Sequence, residues 1–319
     1  MKEKVKDIQF KSANHVIQEI RDMNVKGGSP FGRSAAWAFK LATEQEKLKT
    51  KKELHARYQD LTKQMIALKP TMATIRNSCR IVEEVYQENK NLELDALKKK
   101  VIRVCENIID NSFSSVETLA EVGANRIQDG SVIMMHSYSS TLMGIFIKAA
   151  EQGKKFTVIC TESRPLRESR LAVHYLQEWN ENVIFITDAE AYEFMPMADF
   201  IITGADSLCC DGSAANKIGT ATLAALAKLC KKPFYIASEL YKYDTRTKEG
   251  FPIELERRTE KEIVSKGDFK SHKNLEVINQ FFDLTPAYNI TGLICEYGLI
   301  NSSNVDFYWN ELVKKVKED

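Results

Sequence analysis

The stretch Asp199-Phe-Ile-Ile-Thr203-Gly-Ala-Asp206-Ser-Leu-Cys-Cys-Asp-Gly-Ser-Ala-Ala-Asn216-Lys217-Ile-Gly-Thr220 decides how this chain is read. It opens with an apolar, β-branched run over 200–203. Gly204 stops the run, and Asp206 stands just past its end. A turn rich in Gly, Ser and Asn follows, and Thr220 precedes an apolar-periodic run from Ala221 to Cys230. That pattern predicts strand, loop, helix. In open α/β sheets ligands bind outside the carboxyl ends of the strands, which puts Asp206, Asn216 and Lys217 where such a fold keeps its chemistry. An acid, an amide and a cation suit a polar, anionic small molecule. The competing reading is a solvated turn in which Asp206 caps a local backbone group.

Working outward, the same texture recurs. Short unalternating apolar runs lie at 131–136, 156–160, 183–186, 233–237 and 291–295, and helical patterns at 140–152, 167–178, 189–194 and 221–231 separate most of them. Apolar strands that alternate with helices predict a parallel sheet covered on both faces. A charged segment, 245–272, interrupts the rhythm and reads as a surface loop or arm, and a closing helix is expected over about 304–317. Toward the N-terminus the pattern changes. Val16, Ile17, Ile20 and Met23 share one helical face; a glycine-rich break follows at 25–34. One long helix is expected over 34–68, ended by Pro70, then helices over 71–89 and 92–122. Their apolar stripes read as a bundle packing on itself. The expectation is therefore an α/β protein: a helical domain over 1–123 and a Rossmann-like domain with a mainly parallel sheet over 124–319.

Bulk composition narrows the function. Lys plus Arg is 45 and Asp plus Glu 44, a net charge of +1. That balance supplies no general attraction to nucleic acid or to an anionic membrane. No apolar run approaches a membrane span, and the charged start lacks a signal-peptide core. The seven cysteines are odd in number and form no CxxC pair, as expected of reduced thiols in a cytoplasmic protein. The five histidines are scattered without metal-ligand spacing, so neither a metal nor a cofactor is expected.

The loops that follow predicted strands carry reactive or anion-binding types. HisSerTyrSerSer (136–140) leads into a helix whose free N–H groups suit a phosphate. ThrGluSerArgPro (161–165) supplies Arg164, with Arg170 shortly after, and SerGluLeuTyrLys (238–242) supplies Lys242. Gly27 and Gly28 allow close backbone approach to an anion, flanked by Lys26 and Arg33, although the segment is not a Walker loop. Together these predict a sugar-phosphate pocket. Each has a plainer alternative: Lys242 as a solvated lysine, Arg164 as a structural ion pair, His136 as a satisfied core histidine.

The blocks IleArgAspMetAsnValLysGlyGlySerProPheGlyArgSerAlaAla (20–36), LysProThrMet (69–72), IleGlnAspGlySerValIleMetMetHisSerTyrSerSer (127–140), ThrGluSerArgPro (161–165), the stretch 203–220 and PheAspLeuThrProAlaTyrAsnIleThrGlyLeuIleCysGluTyrGlyLeuIle (282–300) together resemble one superfamily. It comprises the alpha, beta and delta subunits of translation initiation factor 2B, the ribose-1,5-bisphosphate isomerases and the methylthioribose-1-phosphate isomerases. The resemblance implies a helical domain and a Rossmann-like domain, a pocket where they meet that binds a phosphorylated pentose or a nucleotide, and homodimers that in some members build hexamers. For the isomerases it implies conversion of an aldose 1-phosphate to a ketose phosphate with a cysteine and an aspartate. The aspartate corresponds to Asp206, the amide and lysine to Asn216 and Lys217, and the phosphate-holding cations to Lys26, Arg33, Lys69, Arg164 and Lys242. The cysteine position is Ser137. A thiol ionises near pH 8.5, whereas a serine hydroxyl needs a strong base beside it. Lys26 and Lys69 stand where the isomerases usually have Arg, which keeps the charge and loses the bidentate fork. The sequence thus supports an isomerase using Asp206, or a non-catalytic subunit that senses a sugar phosphate or nucleotide.

Overall fold

In the computed structural model, which describes residues 8–25, 27–179, 181–271 and 273–318, the expected helix over 34–68 is two helices. They are α2 (Gly28–Gln45) and α3 (Lys51–Leu68). A capping box divides them: the Thr50 hydroxyl accepts from the Glu53 N–H at 3.1 Å, and Glu53 Oε2 accepts from the Thr50 N–H at 3.2 Å. Such reciprocal caps satisfy the first N–H groups of a helix and fix where it starts. The signature Thr-x-x-Glu was present in the sequence. The glycine-rich break is also shorter than expected, because α2 already begins at Gly28, with Gly27 at φ 91° as its cap. The remaining helices of this half are α1 (Ala13–Arg21), α4 (Ala73–Asn89) and α5 (Leu94–Ala124).

The chain divides into two compact units. The first takes in residues 8–115, 239–245 and 306–318 as far as they are described. Of the stripe expected from Leu48, His55, Tyr58, Leu61, Met65 and Leu68, the core takes up Tyr58, Leu61 and Met65, with Leu54 added and Leu48, His55 and Leu68 only half-buried; Ile75, Ile81, Val82 and Val85 of α4 are buried as expected. α2 lies close on α4 where Gly32 faces Thr74; a Cβ on Gly32 would come within 3.2 Å of Thr74 Cβ, and the Ser78 hydroxyl donates to the Gly32 carbonyl at 2.9 Å. Asn77 binds the segment 239–245 to α4, its Nδ2 donating to the Tyr241 and Tyr243 carbonyls at 2.8 and 2.7 Å. The last helix, α10 (Val305–Glu318), adds Trp309, buried edge-on against the rings of Tyr241 and Tyr243.

The second unit takes in residues 116–238 and 246–305 as far as they are described. Its main sheet uses β1 (Val132–His136), β2 (Thr157–Thr161), β3 (Asn182–Ile186), β4 (Phe200–Gly204), β7 (Phe234–Ala237), β9 (Gly292–Cys295) and β10 (Gly298–Ile300). The order is β10-β9-β7-β4-β1-β2-β3, parallel except for β10. β1 and β4 are buried nearly throughout, which is why they read as unalternating apolar runs. Helices α6 (Ser140–Glu151), α7 (Ser169–Glu178) and α9 (Thr220–Leu229), with the short α8 (Ala191–Phe194), connect them. β2 and β3 build outward on one side of β1 and β4 pairs on the other, with His136 opposite Thr203. The strand order therefore reverses at the β1–β4 pair.

A second sheet was not expected. The stretch 199–220 is not one loop between strand and helix. It contains the hairpin β5 (Ser207–Leu208) and β6 (Ala214–Lys217), which pairs with β8 (Phe282–Thr285). Asp211-Gly212 closes the hairpin, and Gly212 sits at φ 87° with the backbone of Ser302 and Ser303 too close to admit a Cβ. Residues 245–271 form no α-helix or named strand beyond an isolated bridge from Arg257 to Gln280. No described helix is long and apolar enough to cross a membrane.

If the capping box separates α2 from α3, Thr50→Ala costs about 1 kcal/mol. It should lower the urea midpoint with the slope unchanged; an unaltered midpoint would remove the cap from this account.

Candidate functional site

The carboxyl ends of β1, β2, β3 and β4 carry the side chains of interest, and a buried hydrogen-bond chain fixes the first three loops to one another. His136, the last residue of β1, donates from Nε2 to the Ile218 carbonyl at 2.7 Å, and its Nδ1 lies 2.6 Å from Thr161 Oγ1. With Nε2 committed as donor, Nδ1 accepts from the threonine hydroxyl. Burial holds the imidazole below its ordinary pKa, so it stays neutral: a satisfied core histidine. Ser137 follows at φ 65°, and its N–H donates to Ser163 Oγ at 2.6 Å. Ser163 is itself at φ 61° and shares a 2.7 Å contact with Ser169 Oγ. Asp188, past the end of β3, accepts the N–H groups of Ser163 and Arg164, each at 2.8 Å. Left-handed backbone at a non-glycine residue persists only where surrounding bonds hold it, and here they do.

The loop after β4 lies against the loop after β1. A Cβ on Gly204 would come within 2.8 Å of Ser139 Oγ, so glycine is what lets the two approach. Asp206 is exposed, and its N–H donates to the Ala215 carbonyl at 2.8 Å, which opens the β5–β6 hairpin. Lys217, at the end of β6, is buried. Its ammonium lies 2.6 Å from Glu168 Oε1 and 2.9 Å from the centre of the Phe281 ring. Burial pulls its pKa down, while the Glu168 and Asp206 carboxylates oppose that shift. Asp206 and Lys217 are thus electrostatic neighbours. Asn216 is buried and its amide donates to Thr220 Oγ1 at 3.0 Å, joining hairpin to helix. Arg164 is half-buried, with Nη1 donating to the Pro165 carbonyl at 3.2 Å; Arg170 is exposed on α7.

In the first unit Gly28 and Lys242 come together: a Cβ on Gly28 would meet Lys242 Cε at 2.9 Å. Ser29 Oγ donates to Glu239 Oε1 at 2.8 Å in the same place. Gly27 caps α2 without any side-chain hydrogen bond to the helix start. Arg33 turns inward, donating to Ser112 Oγ at 3.1 Å and lying 4.0 Å from the Phe113 ring centre. Lys69 sits 5.3 Å from the centre of Phe31. Lys26 lies outside the described residues.

Sequence reasoning did not single out Glu168, Asp188, Phe281, Arg258 or Asp283. Asp188 was within reach, since it follows a strand end as Asp206 does. Glu168 had no local signal. Asp283 was inside a recognised block, and its role is now visible: its carboxylate accepts the Gly219 N–H at 2.7 Å and the Ala221 N–H at 3.1 Å at the start of α9. Burial nevertheless pushes this carboxyl up to about 6.

The profile of the Initiation factor 2 subunit family matches residues 24–302, and the chain belongs to that family. The ribose 1,5-bisphosphate isomerase of Pyrococcus furiosus is 34% identical over 290 residues, 89% of each chain. The methylthioribose-1-phosphate isomerase of Syntrophomonas wolfei is 31% identical over 297 residues, 89% of this chain and 86% of its own. The crystal structure of the translation initiation factor eIF-2B of Pyrococcus horikoshii superposes with a TM-score of 0.71 at 29% identity, covering 91% of this chain and 96% of that one.

A raised Asp283 carboxyl has a definite sign. The folded state holds that proton more tightly than the unfolded chain, so this group favours folding increasingly as pH falls from above 6 toward 4. Asp283→Asn removes the effect. The difference in melting temperature, wild type minus variant, should therefore grow between pH 7.5 and pH 5; a constant or shrinking difference would contradict the assignment.

Proposed function

We propose that the chain binds a phosphorylated pentose and interconverts its aldose and ketose forms, with Asp206 as the base. The observation that carries this reading is the placement of Asp206 just past the end of β4, electrostatically coupled to the buried cation Lys217, with β4 paired to β1, the strand that Ser137 follows. Opening the sugar ring of an aldose 1-phosphate requires a proton at the ring oxygen. Moving the carbonyl character from C1 to C2 requires a base that removes the C2 proton and returns one to C1. An exposed carboxylate suits the second task. A serine hydroxyl at position 137 is too weak an acid to give up its proton as a thiol would, so Ser137 donates a hydrogen bond to the ring oxygen and solvent water supplies the proton. Lys217 is assigned to the ligand's anionic groups, and Arg164 and Arg170 to the rim.

A second reading follows from the same serine: the protein senses the phosphate ester and returns it unchanged. Cys210, four residues after Asp206 in the chain, directs its thiol at the Thr247 carbonyl, Sγ donating at 3.3 Å. Self-association as dimers is part of both readings and is measured by sedimentation.

Incubation with ribose 1,5-bisphosphate and with methylthioribose 1-phosphate separates the readings. Turnover of one of them, reduced at least ~100-fold in Asp206→Asn, is the expected result. A rise in melting temperature with the ester recovered intact, equal in wild type and variant, would establish the sensor instead.

A further inference from the structure

The Lys217 ion pair is unusual for a buried pair because it is incompletely satisfied. The two side chains are 5% and 26% exposed at a separation of 2.6 Å. That contact engages one of the ammonium's three donors and one carboxylate oxygen, and Glu168 Oε2 has no hydrogen-bond partner among the described protein groups. Buried ions that stay in place for stability alone are normally paired and fully hydrogen-bonded, because desolvation of each charge is otherwise uncompensated. An ammonium with unspent donors, and a carboxylate with an unspent oxygen, is an arrangement open to a third group.

The surroundings hold the two partners unequally. Lys217 is held by an aromatic face: its ammonium lies 2.9 Å from the centre of the Phe281 ring, and a second cation, Arg258, lies 4.4 Å from the same ring centre. Arg258 is in turn anchored to Glu262 at 2.8 Å. The aromatic face attracts the cation whether or not a carboxylate is present. Glu168 is held by little else. It occupies the cap position of α7 without a side-chain hydrogen bond to that helix, so its side chain can rotate away without undoing a helix start.

We propose, building on the sugar-phosphate reading above, that Glu168 is an affinity-setting residue of this site: its carboxylate competes with the ligand's phosphate for Lys217, and the phosphate gains the ammonium by displacing it. A phosphate monoester carries up to two charges and three acceptor oxygens. It therefore satisfies the ammonium more fully than a carboxylate that offers it one oxygen. The pair acts as a threshold. Weakly charged sugars do not displace Glu168, whereas a bisphosphate does.

Calorimetric titration of wild type, Glu168→Gln, Lys217→Met and the double variant with ribose 1,5-bisphosphate tests this, together with mass-spectrometric measurement of Lys217 acetylation by an amine-reactive ester. Glu168→Gln should bind the bisphosphate about 10-fold more tightly than wild type and be acetylated faster at Lys217. Added bisphosphate should suppress that acetylation. In the Lys217→Met background, removing Glu168 should change nothing. Glu168→Asp, which keeps the charge and shortens the reach, controls for folding and should fall between the two. Wild-type binding with no gain in Glu168→Gln, or a loss, would overturn the proposal while leaving the sugar-phosphate reading intact. Silence from wild type and every variant would end that reading and this proposal with it.

Discussion

The pairing of β1 with β4 is the constraint on which the second unit depends. Right-handed crossovers carry β2 and β3 away to one side of β1. The chain then returns to lay β4 against the other side, with Met135 opposite Ile202 and His136 opposite Thr203. Connections that leave neighbouring strands in opposite directions open a crevice at the carboxyl edge. Ser137 and Asp206 belong to the two loops that border it. The strand ends are held by bonds that leave little freedom: His136 spends both ring nitrogens, and Asp188 ties two backbone N–H groups of the next loop.

Electrostatics in this region follows from burial more than from charge count. The chain is nearly neutral overall, and exposed ion pairs on its helices contribute little. Lys217 and His136 are different, because removing each from water penalises its charged form. The histidine meets that penalty by remaining neutral. The lysine meets it with Glu168 on one side and an aromatic face on the other. Two neighbouring basic residue types thus take opposite routes: the ring nitrogens of His136 are engaged by the Ile218 carbonyl and the Thr161 hydroxyl, whereas Lys217 has the Glu168 carboxylate against its ammonium.

The parallel sheet was legible because burial on both faces writes unbroken apolar runs into strands such as 132–136 and 200–204. The bundle was legible because Tyr58, Leu61 and Met65 repeat at helical spacing. What stayed hidden has physical reasons. The hairpin 207–217 has strands of two and four residues, too short for periodicity, although Asp211-Gly212 marked the turn. The break at 46–50 comes from a cap whose signature lay inside an otherwise helical pattern. Asp206 and Lys217 could be placed from their distance past a strand. Glu168, Phe281 and Arg258 reach Lys217 only through the tertiary fold, and no local pattern announces that. Arg33 was legible as a cation but not as one turned toward Ser112 and Phe113.

The segment 239–245 and the final helix belong with residues 8–115, although residues 116–238 and 246–305 intervene in the chain. Asn77 waits for the carbonyls of Tyr241 and Tyr243, and those rings wait for Trp309. No single cut frees this unit as a contiguous fragment. During synthesis its amide and its aromatic cluster stay unfilled until α10 has emerged from the ribosome, so the part of the protein made first is among the last to be completed.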